Sequence, residues 1–433
     1  MSTEIGHLMY KWISDLFPIN RSLTGKGVRE TLSYIKSEIP NLKIMSVQSG
    51  TKAFDWEIPN EWSIKDAYIE NLDGVKLVSF NENNLHVVGY SIPIDRVISK
   101  EELMPYLHSL PELPNAIPYI TSYYNETFGF SLSQNQKDVL GDGPFHIFID
   151  SKLAPGAMNF GELYIPGSTK QEILFSTYIC HPSMANNELS GPSVAMALAK
   201  HIQSMKTRKY SYRILFNVET IGSIYYLSKN LKKLKKKLVA GWVLTCLGDE
   251  RAYSYVPTKQ GYTLTDRVSR KVLSDLDVDF TEYSWLDRGS DERQFNAPGI
   301  DLPVGSIMRS KYSTYPEYHT SLDNLDLVSP QGLNDSLNAM TKVVEILETN
   351  EKWQTNVLGE PQLGRRGMYP TLSTRGSSII VRDLKNVLSF MDGNHDLLKI
   401  AEKCNLKYTE VLNIVEKLKE SGVISLKKNS EQN

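Results

Sequence analysis

The sequence predicts an α/β domain on a largely parallel sheet, with a β-rich segment set into it and a small helical unit after it. Three observations carry this. Apolar runs at 173–179, 212–218, 238–247 and 302–308 are nearly continuous, the texture of strands covered on both faces. Helical spacing at 193–205 and 331–348 makes strand and helix alternate along the chain. From about 51 to 159 short runs such as 75–80 and 85–90 are broken by Pro, Asn and Gly, which reads as strands and turns.

Taken in order, the chain opens with two amphipathic segments, 7–17 and 27–39, expected as helices joined by a polar connection. Residues 51–159 form the expected β-rich inserted domain, in which Pro111, Pro114 and Pro118 argue against helix. The main α/β domain is expected to be discontinuous, from 1–50 and 160–355. The six lysines between Lys229 and Lys237, with Leu231 and Leu234 among them, read as a solvated helix face or as an anion-binding patch. Residues 365–433 hold three short helical segments, 379–391, 397–403 and 409–421, then an apolar run at 423–426, the pattern of a winged-helix-like domain.

Composition excludes several classes. The 433 residues carry a net charge of −2, so nothing draws the whole chain to nucleic acid or anionic lipid. Three cysteines match no disulfide framework and suit a reducing compartment. With no basic-then-apolar leader and no apolar run of about 18 residues, a cytoplasmic protein that does not span a membrane is expected. From Thr371 on, ten basic residues stand against eight acidic ones, and Glu410, Glu416 and Glu420 fall on the last helix. Nucleic-acid binding is therefore not expected, and a protein partner is the better reading of this domain.

Open α/β sheets place their sites at the carboxyl ends of strands. There the sequence has His181, Glu219 and Asp249 after three successive strands, and His319 beyond a fourth. Singly, each has an ordinary structural reading, such as a buried histidine or a capping carboxylate. Together they have the donor chemistry of a zinc site with a carboxylate base beside it.

The order of these motifs resembles the zinc aminopeptidases of the M28 class. The chain as a whole resembles a bacterial family of aminopeptidase-like proteins linked to polysaccharide biosynthesis. The phrases that carry this are FPINRSLTGKGVRETL, LHVVGYS, LPNAIPYITSYYNETFGFSLS, STYICHPSMANNELSGP, ETIGSI, CLGDERAYSY, RGSDERQF and YPEYHTSLDNLD, over roughly 17–326. The resemblance implies a zinc-aminopeptidase-like mixed sheet with flanking helices, an inserted β-rich domain and a C-terminal winged helix. It implies His181, Asp249 and His319 as metal ligands, Glu219 as the base that activates the metal-bound water, and Asp323 as the partner that orients His319. Tyr318 and Arg293 lie in matched phrases without an assigned role.

The sequence departs from the two-metal pattern at Ser183, where an orienting Asp would stand, at Thr220 in place of a second Glu, and at Asn187 in place of the bridging Asp. Asn187 is a neutral ligand, so one zinc ion rather than two is expected, with Glu188 as an alternative ligand. The function implied is zinc-dependent hydrolysis of an amide bond in a small peptide, an aminoacyl amide or an N-acyl sugar. The rival is a catalytically silent binding protein that keeps the scaffold. Arg21, between the first two helices, is expected either to bind a substrate anion or to belong to a helix start capped by Ser22 or Thr24. Arg288, Arg293 and Arg309 are further anion-binding candidates.

Overall fold

The computed structural model describes residues 3–123, 125–368 and 375–427. The chain divides into two compact units, one of Met1–Thr265 with Asp279–Asn338 and the other of Asp266–Val278 with Ala339–Asn433. Among the described residues no helix is long and apolar enough to cross a membrane.

The first unit is built on an eight-stranded mixed sheet. Its centre is four parallel strands in the spatial order Ser211–Asn217, Glu172–Tyr178, Leu238–Val243, Val304–Met308. Every residue of these strands except Val239 is buried, which is why their sequences run apolar without alternation. Antiparallel Ala157–Ile165 and then Lys43–Gln48 extend one side. Ser254–Val256 and Thr281–Glu282 extend the other. Helices Thr3–Leu16, Lys26–Glu38, Ser190–Ser204 and Ile221–Lys237 flank the sheet. The first of these meets the third where Ser193 Oγ donates to the Met9 carbonyl at 2.9 Å. On helix Ile221–Lys237, Lys229, Lys232, Lys233, Lys235 and Lys236 are exposed while Leu234 is buried, the solvated face expected.

Within 51–159 a second sheet, antiparallel, runs Lys76–Ser79, Glu61–Asn71, Phe145–Ala154, Ile94–Ile98. Phe145, Ile147 and Ile149 point inward onto Trp62, Ala67 and Ile69 in a core of their own. The run at 85–90, expected as a strand, is instead a 3-10 turn at Asn84–His86 followed by isolated bridges at Val87 and Gly89. Asn83 explains this: its side chain accepts from Leu85 N at 2.9 Å, a local bond that competes with strand pairing. The run at 238–247 is likewise a strand only to Val243, because Cys246 takes a left-handed conformation (φ 53°).

The second unit has a three-stranded sheet, with Lys352–Thr355 between Asp392–Asp396 and Ile424–Leu426. Helices Arg375–Ser389, Leu397–Cys404 and Tyr408–Glu420 surround it. Their apolar faces bury Leu384, Val387, Leu398, Val411, Val415 and Leu418. Helix Leu264–Asp275, not foreseen from the sequence, joins this unit from Asp266 on. Its Arg267 grips Asp396 at 2.9 and 3.1 Å and Glu402 at 3.1 Å. Its Asp275 accepts from Tyr408 N at 2.8 Å. Lys271 donates to the Leu406 carbonyl, and Asp277 pairs with Lys407.

Candidate active site

The chain leaves the central strands under backbone tension. Ser183, Thr220, Cys246, Ser313 and His319 all have positive φ, between 38° and 62°, and all lie beyond strand ends. None is glycine, so each conformation costs about 1–3 kcal/mol and persists because the surroundings hold it. A π-helical turn at Ala185–Leu189, whose residues are all buried, leads into helix Ser190–Ser204. Such turns are rare and recur at functional sites.

These strand ends bring His181, Glu188, Glu219 and His319 together. The His181 ring is bonded at Nδ1 to Glu188 Oε2 at 2.7 Å, and its Nε2 lies 3.5 Å from Glu219 Oε2. The rings of His181 and His319 are 5.4 Å apart. Tyr119, brought in by the 51–159 segment, packs on both imidazoles at 5.2 and 5.3 Å, and Tyr318 stacks on His319 at 3.9 Å. Tyr119 is tied in place by its N–H, which donates to the His319 carbonyl at 2.9 Å.

Electrostatics separate the two imidazoles. Burial opposes a charge on His181, but Tyr119, Cys180 and Glu188 hold its pKa well above the ordinary histidine value. Burial and the neighbouring His181 push His319 down to about 3, so it is neutral and able to serve as a ligand. Glu219 is raised by burial and by Glu188 and Glu292, against the pull of His181 and Arg293. Burial and the charge of Glu219 push Asp291 up to about 7; it accepts from Thr220 N at 2.8 Å and Ser223 Oγ at 2.7 Å. Sequence reasoning missed Asp291 and Glu292 as site residues; the signal that could have found them is the pair of adjacent carboxylates in the RGSDERQF phrase.

Other expected residues are placed differently. Asp249 is buried with both oxygens engaged: Oδ1 accepts from Ser310 Oγ at 2.8 Å and Arg251 N at 2.9 Å, Oδ2 from Asn186 Nδ2 and Ser310 N at 3.0 Å each. It braces the loops behind the site and has no lone pair turned toward His181 in this arrangement. Asp323 does not reach His319. Its Oδ1 accepts from Asn186 N at 2.6 Å, and its Oδ2 from Asn187 N at 2.9 Å and Tyr315 OH at 3.1 Å. It caps the π turn, and it does so because consecutive N–H groups there point outward with no partner in the turn. Arg21 is 1% exposed and bonds to the carbonyls of His181 at 3.0 Å and Leu16 at 2.7 Å. Fully covered, it supports the His181 loop rather than meeting a substrate. Arg309 is also buried, over the Tyr253 ring.

Glu188 supplies what Ser183 cannot. Ser183 Oγ donates to the Phe17 carbonyl at 2.9 Å, and the carboxylate on the His181 ring is that of Glu188. Glu188 is therefore a partner of the ring in this arrangement, not a replacement ligand. Asn187 donates to Tyr178 OH at 3.2 Å, while its Oδ1 and Glu188 Oε1 are buried without a protein partner. Among the described residues the one trio of possible ligands within 4.8 Å of one another is Cys180, His181 and Glu188. It gathers on the Nδ1 side of His181, where burial raises the Cys180 thiol to about 11 and keeps it a neutral, poor ligand.

Glu219 Oε2 lies 3.5 Å from His181 Nε2, beside the position an ion on that nitrogen would take and where a base for its bound water would stand. A carboxylate on the far ring nitrogen is the usual support for a metal-bound histidine. The donor set offers a place for one divalent ion at His181 Nε2, although no three of His181, Glu219, Asp249 and His319 bring ligand atoms within 4.8 Å of one another in this arrangement. With Asn187 and Thr220 in place of carboxylates it does not fit two.

Comparison with known proteins agrees with this fold. A family model described as a domain of unknown function, DUF4910, matches residues 10–350, and a winged helix-turn-helix model matches 351–426. A Clostridium acetobutylicum protein named "putative polysaccharide biosynthesis protein with aminopeptidase-like domain" is 46% identical over 413 residues, covering 95% of this chain and 94% of its own. The crystal structure of a "putative peptidase" from Clostridium acetobutylicum superposes with a TM-score of 0.92 at 43% identity, covering 98% of this chain and 97% of that one. A zinc aminopeptidase from Bacillus subtilis shares the fold at a TM-score of 0.57 and 14% identity, covering 79% of this chain and 94% of its own. An M28 peptidase precursor from Shewanella amazonensis does so at 0.57 and 11%, covering 83% and 97%.

Proposed function

The chain belongs to the DUF4910 family of aminopeptidase-like proteins, and from the site at its strand ends we propose that it is a single-ion, metal-dependent hydrolase of an amide bond. The observation that carries the reading is His181, gripped by Glu188 at Nδ1 and turned at Nε2 toward Glu219. His181 and His319 would hold the ion, zinc by its taste for imidazole and carboxylate donors, and it would supply Lewis acidity at the carbonyl oxygen. Glu219 takes the proton from the attacking water. Burial and neighbouring carboxylates raise its pKa, toward the range in which a carboxylate is an effective base. Glu188 fixes the tautomer and orientation of His181. Tyr119 and Tyr318 wall the imidazoles from bulk water.

The substrate classes supported are aminoacyl amides and N-acyl sugars. The name of the Clostridium acetobutylicum relative favours the sugar. The test is zinc content and hydrolysis of both substrate types by wild type and Glu219→Gln. The expected result is loss of turnover by a factor of about 10²–10⁴ with metal content unchanged. Loss of the metal in parallel would make Glu219 a ligand and refute its role as base.

The bonded state of Asp249 and the amide at Asn187 favour a second reading, a silent protein that keeps the scaffold to bind. Absence of zinc together with absence of turnover would select it.

A further inference from the structure

Segment Gly289–Glu292 is locked at the mouth of the site. Glu292 Oε1 accepts from Gly289 N at 2.9 Å, Ser290 N at 3.1 Å and Tyr312 OH at 2.5 Å. Asp291 holds Thr220 N and Ser223 Oγ. The next residue, Arg293, is exposed, and its Nη2 donates to Thr220 Oγ1 at 2.8 Å. Exposed and bonded through Nη2, the guanidinium keeps N–H donors open to solvent near Glu219. Thr220, in turn, stands where the two-metal pattern has a second anionic ligand. A guanidinium tethered to the Thr220 hydroxyl thus stands beside the position that a metal-binding carboxylate would otherwise take.

Behind it the floor of the site is acidic, with Glu188, Glu219, Asp291 and Glu292 close together. A negatively charged substrate approaching that floor would be repelled unless a cation met it at the entrance. We infer that Arg293, braced on Thr220, is the receptor for an anionic group of the substrate, a carboxylate or a phosphate beside the scissile amide. A planar fork of N–H donors matches either group.

The inference deepens the hydrolase reading and rests on it, and the experiment keeps the two apart. Full-length Glu219→Gln protein and the double variant Glu219→Gln/Arg293→Gln are titrated calorimetrically with N-acetylglycinamide, N-acetylglycine and O-phospho-N-acetylethanolamine. The anionic probes should bind Glu219→Gln about tenfold or more tighter than the neutral amide. The double variant should lose most of that preference, and Arg293→Lys should keep part of it, because a lysine supplies the charge without the fork. Whichever anionic probe binds tighter identifies the group as carboxylate or phosphate. Equal binding of charged and neutral probes, a preference that survives Arg293→Gln, or no binding of any probe would each overturn the inference. Hydrolysis by wild type is scored separately. A protein that selects anionic probes yet cleaves none keeps the anion receptor and loses the hydrolase reading.

Discussion

Replacing Asp323 by Asn tests the architecture of the site more sharply than any catalytic substitution. The carboxylate is fully buried and takes three donors, Asn186 N, Asn187 N and Tyr315 OH. An amide of the same shape keeps one acceptor oxygen and presents an NH₂ where the other oxygen was. Tyr315 OH can rotate and accept from it, but one backbone N–H of the π turn is left facing a donor. An unpaired buried donor costs about 1–3 kcal/mol, and losing charge assistance on the remaining bond adds about 1 kcal/mol. The sum, about 2–4 kcal/mol, is a large share of the roughly 5–15 kcal/mol that holds a domain together. Urea unfolding followed by fluorescence should show the loss in the first transition to include the main sheet, and amide exchange should speed up at 185–190. If Asp323→Asn unfolds within about 0.5 kcal/mol of wild type but binds zinc far more weakly, Asp323 acts on His319 and the capping argument fails.

Three further outcomes follow from other parts of the structure. His146 bridges Glu70 at 2.7 Å and Asp95 at 2.8 Å across three strands, and Asp95 and then Glu70 raise its pKa. Its folded value therefore exceeds the unfolded one, so its stabilisation is complete below about pH 6.5 and fades as pH rises through the raised value; denaturation midpoints between pH 6 and 9 should fall less in His146→Gln than in wild type. A Cβ at Gly191 would meet the Leu244 carbonyl oxygen at 2.2 Å and Thr177 Oγ1 at 2.5 Å, so Gly191→Ala should cost about 1–3 kcal/mol or more, read by thermal unfolding. Removing the acceptor of Tyr408 N with Asp275→Ala should cost about 0.5–2 kcal/mol and speed hydrogen exchange at the start of helix Tyr408–Glu420, leaving the main sheet's amides unchanged.

What the sequence made legible depended on how local the cause was. The four central strands were readable because burial on both faces leaves an unbroken apolar run. The helices at 190–204 and 330–349 were readable from their spacing. Helix Leu264–Asp275 was missed because its mean hydropathy is low and its buried side mixes polar Thr265, Asp266 and Ser269 with apolar Val268, Val272 and Leu273, which blurs the apolar spacing. At the site, strand order alone brought His181, Glu219 and His319 to one end of the sheet. Which oxygen faces which nitrogen is another matter. The roles of Glu188, Asp249 and Asp323 turn on side-chain directions set by a π turn and by left-handed residues such as Ser183 and His319. No residue spacing encodes these.

The docking of residues 266–278 into the C-terminal unit changes how that unit can be studied. A helix-turn-helix reads DNA with the N-terminal end of its second helix. Here that end is already engaged, with Tyr408 N on Asp275, Lys407 on Asp277, and the Leu406 carbonyl on Lys271. An excised fragment starting at residue 351, where the family model begins, would bare all three positions and leave Asp396 and Glu402 without Arg267. Any gel-shift signal from such a fragment would report a surface the intact chain keeps covered.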